Sequence, residues 1–146
     1  MSNTFEEFLS KFRVDEMTIH RTQFWTWSVR PVHPTLGAGI LSLNRLCPSF
    51  AELTQAEYAD LGVIVPFLDK RLQAVFAPQK MNYLMLMMVD HHVHFHVIPR
   101  YAEPQQFGGF EWVDSGWPSH PSLGDYEDRS GEAVLLEIRE ALKQPL

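Results

Sequence analysis

Residues 90 to 100 read Asp-His-His-Val-His-Phe-His-Val-Ile-Pro-Arg, and this alternation of imidazole with apolar side chains is compatible with few folds. A period of two is that of a β-strand, so His92, His94 and His96 share one face while Val93, Phe95 and Val97 share the other. The apolar face ties the strand to a core, and the imidazoles line up about 6 to 7 Å apart. Because buried ring nitrogens need partners, such a row is an unusual way to build packing. Three roles are open to it. The histidines decorate a solvated sheet face. Or they bind a metal, since neutral imidazole is a common zinc ligand; three successive same-face positions span too far for one ion at about 2 Å each, so a further ligand such as Asp90 or His120 is then required. Or the middle ring attacks a phosphate ester or anhydride while its neighbours hold the phosphoryl oxygens. Imidazole is largely neutral at pH 7 and hence nucleophilic without a buried base. The third role takes most of the weight.

The rest of the chain supplies both helices and strands. At 146 residues and 45% hydrophobic composition it has the size of one domain, residues 1–146, able to bury a core without disulfides. Thr4 and Glu7 make a capping-box pattern, and Phe5, Phe8, Leu9 and Phe12 recur at helical spacing. Residues 24 to 30 alternate as a half-buried strand, Pro31 and Pro34 bracket a turn, and residues 36 to 43 suit a second strand of a hairpin. Thr54 and Glu57 give another capping box, behind which Leu61, Ile64, Val65, Leu68, Leu72, Val75 and Phe76 mark one face of a helix of about twenty residues, with a kink predicted near residues 62 to 66 at Pro66. Residues 82 to 88 and 89 to 98 read as two strands joined around residues 87 to 90, the second stopped by Pro99. Residues 101 to 130 read as a long irregular stretch that keeps Phe110, Trp112 and Trp117. Val134, Leu135, Ile138, Ala141 and Leu142 space a C-terminal helix ending before Pro145. Met85, Met87 and Met88 are assigned to packing rather than to a ligand pocket.

Composition narrows the classes. The formal net charge of −6 provides no basic field for a polyanion, so nucleic acid is not an expected partner. A single cysteine, Cys47, excludes an intramolecular disulfide, fits a reducing compartment and is given no chemical role. The N-terminus has neither the basic start nor the apolar run of a signal peptide, and no apolar stretch approaches the ~18 residues of a membrane span, so a cytoplasmic, soluble protein is expected.

The string His92-Val93-His94-Phe95-His96-Val97-Ile98 resembles, at all seven positions, the His-φ-His-φ-His-φ-φ signature of the histidine-triad nucleotide hydrolases and transferases. Pro99-Arg100-Tyr101 is similar to the extension of bacterial members like diadenosine tetraphosphate hydrolase, and weaker likeness runs through residues 36 to 45, residues 50 to 54 and Asn82. The resemblance implies an α+β fold: an antiparallel sheet of about five strands with a long packed helix and a C-terminal helix, usually paired as a homodimer. It implies that His94 attacks the α-phosphorus of a small-molecule nucleotide to form a nucleotidyl-histidine that water resolves, with His92 and His96 positioning the phosphate and assisting the leaving group. It implies no cofactor or metal. Asn82 matches a residue that holds the phosphate or the loop beside it, and Arg100 is a further candidate for a distal phosphate. Three departures stand out. The Gly-Gln-Ser or Gly-Gln-Thr segment of many members is replaced by Met87, Met88 and Val89; a further histidine they carry falls at Gly37; and residues 25 to 30 hold no acidic ribose ligand. Two alternatives stay open: a zinc-binding protein using the histidine strand, and a nucleotide-binding module without catalysis.

Overall fold

Period-two strands and amphipathic helices assemble here into a sheet covered on both faces. The computed structural model describes residues 4–124 and 126–145. Helix α1 (Thr4–Lys11) leads into β1 (Thr18–Arg21), β2 (Trp25–Val29) and β3 (Gly39–Leu43). The long α2 (Gln55–Phe76) then crosses to β4 (Lys80–Leu84) and β5 (His94–Arg100); a small hairpin, β6 (Gln105–Phe107) and β7 (Phe110–Trp112), precedes α3 (Val134–Lys143). The main sheet runs β1-β2-β3-β5-β4 with every neighbour antiparallel, the α+β arrangement implied by the resemblance. Among the described residues no helix is long and apolar enough to cross a membrane.

Register decides which side chains share a face. Thr26 stands opposite Ser42, which stands opposite His94, and Ser28, Ile40 and His96 form the next row. The alternate residues, Trp25, Trp27, Leu41, Leu43, Phe95 and Val97, look the other way. There they meet Ile64, Leu68, Leu72 and Phe76 of α2 and Leu135, Ile138 and Leu142 of α3 in the main core. A second cluster, Phe8, Phe12 and Val14 with Ile40, forms on the histidine side. With both faces covered, β2 is buried at all five positions, where its alternation predicts a half-buried strand. The difference is α1: its apolar stripe caps the face that Thr26 and Ser28 would otherwise present to water.

The second capping box is formed: Thr54 Oγ1 accepts from the Glu57 N–H at 3.1 Å, and Glu57 Oε1 accepts from the Thr54 N–H at 2.8 Å. Of the first, the Thr4 side chain lies outside the described residues. Helix α2 runs through Pro66, which sits on its exposed side. Three expectations need correction. Pro99 does not stop β5, which continues to Arg100 with Pro99 opposite Met81; pairing with β3 ends at Val97, so beyond it a residue lacking an N–H has a neighbour on one side only. The connection between β4 and β5 spans residues 85 to 93, longer than the predicted 87 to 90. Residues 101 to 130 are not wholly irregular: Gly108 (φ 62) and Gly109 (φ 83) supply the two left-handed residues that a tight hairpin turn between β6 and β7 requires. Strand β1, four residues with a register shift between Thr18 and His20, carries no sequence pattern that announced it.

Candidate active site

His94 opens β5 and His96 follows on the same face, but His92 lies just ahead of the strand, because β3 ends opposite at Leu43 and the chain has turned toward Cys47. Backbone holds the His92 ring at both nitrogens. The Cys47 N–H donates to Nδ1 at 3.2 Å, so the ring proton is on Nε2 and donates to the Leu43 carbonyl at 2.8 Å. Burial, foremost, pushes the His92 pKa down to about 4. The expectation that His92 contacts a phosphate therefore meets a ring whose polar atoms are already engaged; what His92 offers the site is its carbonyl. That oxygen accepts from His94 Nδ1–H at 2.6 Å, which leaves the Nε2 of neutral His94 with its lone pair. Burial also lowers the pKa of His94 below the ordinary imidazole value. On His96, Nδ1 accepts from the Arg30 Nε–H at 3.3 Å, so the neutral ring carries its proton on Nε2. Burial first, then the Arg30 charge, bring its pKa down to about 4. The rings of His94 and His96 meet edge to face, centroids 4.9 Å apart.

Helix α1 lies across these rings. Phe8 packs at 4.9 Å from His92 and 5.0 Å from His94, and Phe12 at 5.8 Å from His94 and 6.2 Å from His96, centroid to centroid. His94 is left 2% exposed. Lys11 Nζ reaches both Asp90 oxygens at 2.9 Å and so ties the end of α1 to the loop of residues 85 to 93. A cavity of about 650 Å³, within the size range of small-molecule sites, reaches His94 and His96 beside this tie. Phe12, Pro31, Val32, Leu86 and Met88 form its apolar walls, and Lys11, Arg13, Arg30 and Asp90 bring charge. Met85 packs against the main core as predicted, whereas Met87 packs there and also lines the cavity, so the packing assignment holds for it only in part. Met88 does not pack there: it is 80% exposed at the cavity, because Met87 adopts a left-handed backbone (φ 51) that turns the chain between Met85 and Met88.

Asn82 and Arg100 are brought to each other rather than to the cavity, which neither of them lines. Arg100 Nε and Nη2 donate to the two oxygens of buried Asp114 at 2.7 and 3.1 Å, and Nη1 donates to Asn82 Oδ1 at 2.7 Å. Asp114 Oδ2 also accepts the Tyr101 N–H at 3.1 Å. The Arg100 charge is thus neutralised internally. Among the described residues the His120 ring bonds only the Pro121 carbonyl, at 3.4 Å, and Asp90 is engaged by Lys11. Among the described residues no three His, Cys, Asp or Glu side chains are grouped to hold a metal ion. At Gly37 the backbone is left-handed (φ 85) and a side chain would start 3.1 Å from the Phe76 ring, on the core side of the sheet, so no histidine could serve the site from there. Sequence reasoning missed Arg30 and Lys11. Arg30 shares the parity of Thr26 and Ser28, but only the pairing of β2, β3 and β5 shows that this parity faces His96.

A scan against protein-family models finds no match, and a search of curated proteins finds none. Solved structures do match. A histidine triad protein from Bradyrhizobium japonicum is 17% identical, with 90% of this chain and 92% of that one covered and a TM-score of 0.66. A histidine triad protein from Sinorhizobium meliloti is 20% identical, covering 88% and 93%, with a TM-score of 0.64. A hypothetical histidine triad nucleotide-binding protein from Sulfolobus tokodaii is 15% identical, covering 87% and 83%, with a TM-score of 0.60. At these identities the likeness is one of architecture: the chain has the fold of histidine triad proteins.

Proposed function

We propose that the chain is a nucleotidyl hydrolase or transferase of the histidine-triad kind, similar to diadenosine tetraphosphate hydrolases, with His94 as its nucleophile. One observation carries the reading: the His94 Nδ1–H donates to the His92 carbonyl, which reserves the Nε2 lone pair for attack at the cavity. The match of all seven signature positions and the nucleotide-binding description of the Sulfolobus tokodaii neighbour support the choice of ligand. For a phosphoric anhydride such as a dinucleoside polyphosphate, Nε2 attacks the α-phosphorus, a P–N bond forms, and the bridging P–O bond breaks. Its electron pair leaves with the second nucleotide as an anion, which the His96 Nε2–H steadies by a hydrogen bond. The imidazolium positive charge formed on His94 is stabilised by the His92 carbonyl through Nδ1–H. Water then attacks phosphorus, the P–N pair returns to Nε2, and the water proton leaves to solvent. Wild-type protein is expected to hydrolyse diadenosine tetraphosphate or an adenylylated conjugate, and His94→Ala to lose turnover while keeping its unfolding transition. A folded wild type inactive on both substrates would contradict the proposal.

A second reading, nucleotide binding without turnover, draws on α1, which packs Phe8 and Phe12 on the nucleophile. It is distinguished by AMP binding in calorimetry with no covalent adduct on any substrate. The homodimer implied by the resemblance belongs to the same proposal: β4 has one neighbour in the sheet and Val63 of α2 is 61% exposed. Sedimentation equilibrium at micromolar concentration is expected to give twice the chain mass; a monomer there would remove the dimer and leave the chemistry standing.

A further inference from the structure

Three cationic side chains line the cavity in front of His94, and two of them already have acidic partners. Lys11 is engaged by Asp90, and Arg13 binds Glu16 through Nε at 2.8 Å and Nη2 at 2.9 Å. Arg30 has no carboxylate partner among the described residues. It is nonetheless fixed in place. Its N–H donates to the Ala38 carbonyl at 2.9 Å, one step beyond the β2–β3 ladder; Nη1 donates to the Val32 carbonyl at 2.8 Å; and Nε donates to His96 Nδ1 at 3.3 Å. Nη2 is left with no protein acceptor among the described residues. A half-buried guanidinium without a counter-charge costs stability, and an anionic ligand in the cavity would relieve that cost. In a chain of net charge −6 such a local cation is also what an anion needs in order to dwell there.

We propose, on the basis of the nucleotide reading above, that Arg30 binds the phosphate under attack and positions His96. The two roles come from different atoms. Nη2 supplies a charge-assisted donor for a phosphoryl oxygen. Nε occupies His96 Nδ1, so that His96 offers a proton rather than a lone pair to the oxygen that leaves that phosphate. Arginine and imidazole side chains thereby do at this site what the apolar Leu86, Met87, Met88 and Val89 side chains before the triad do not. The ligand class that follows is a nucleotide whose reacting phosphate is anionic; the corresponding nucleoside lacks the group that Arg30 recognises.

The test compares AMP with adenosine, by calorimetry, on wild type, Arg30→Gln and Arg30→Lys, alongside an NMR titration of the His96 ring. Wild type is expected to prefer AMP. Arg30→Gln is expected to lose about 10- to 100-fold in AMP affinity with adenosine affinity unchanged, and Arg30→Lys to recover part of the loss. The His96 pKa is expected to rise in Arg30→Gln, while the other charged and titratable groups facing it, His94, Asp90 and Lys11, stay as they are. An Arg30 whose guanidinium does not bond His96 in solution would leave that titration unmoved. AMP affinity and His96 titration both unchanged in Arg30→Gln would overturn the proposal and leave the nucleotide reading intact. A wild type that binds neither AMP nor adenosine would overturn both. If Arg30→Gln does not fold, Arg30→Lys carries the comparison, with AMP weakened, adenosine unchanged, and an AMP affinity equal to wild type as the contrary result.

Discussion

Arg100 and Asp114 meet inside the molecule with side chains only 4% and 1% exposed, so the pair is an internal tie between the end of β5 and the segment after β7. Removing one member leaves a buried charge without its partner, and Asp114→Ala is expected to destabilise the fold by about 3–5 kcal/mol in urea unfolding. A loss below about 1 kcal/mol would show that Arg100 finds water or a ligand instead. The sequence places Arg100 beside the signature, where a distal phosphate is a reasonable partner. What it does not display is Asp114, because the stretch in which that aspartate lies has no periodicity to locate it. The same holds for His92. Its parity with His94 and His96 is visible in the sequence, whereas its bonds to Leu43 and Cys47 exist only once β3 has ended opposite it.

Helix α1 was legible as a helix from Phe5, Phe8, Leu9 and Phe12, but nothing in that spacing says which surface the stripe covers. The surface is the histidine face, and the consequence can be measured. Phe8, 3% exposed among His92, His94 and Phe12, is the anchor. Phe8→Ala is expected to cost about 3 kcal/mol of stability and to speed modification of His94 by diethyl pyrocarbonate; unchanged stability and reactivity would mean that α1 does not hold the face. The other elements divide by the strength of their pattern. The capping box and apolar face of α2, the hairpin of β2 with β3, and α3 are long enough for the period to decide. The four-residue β1 and the three-residue β6 and β7 are not, although Gly108-Gly109 is a recognisable hairpin turn. At Pro99 the proline signal was overridden by topology, since that end of β5 needs a partner on one side only.

Across the whole molecule, burial keeps several imidazoles neutral, and this couples stability to pH. His33, with no partner at either ring nitrogen among the described residues, is pushed down to about 3 by burial foremost, and His92 and His96 to about 4. In the unfolded chain each takes a proton near 6.5. Between that value and about 4 the unfolded state binds protons that the folded state refuses, so stability falls as pH drops through this window. Urea unfolding at pH 7 and pH 5 is expected to show the loss, and His33→Phe, beside the Trp112 ring, to reduce it; equal stability of wild type at the two pH values would contradict these shifts. The sheet, its two-sided cover and the cavity converge on His94, whose chemistry can be read directly. Wild-type protein mixed with diadenosine tetraphosphate, quenched in alkali and digested, is expected to yield a nucleotidyl group bonded to the peptide that carries His94, with none in His94→Ala. Turnover that persists in His94→Ala, with no phosphorus on that peptide in wild type, would contradict the central claim that this histidine is the nucleophile.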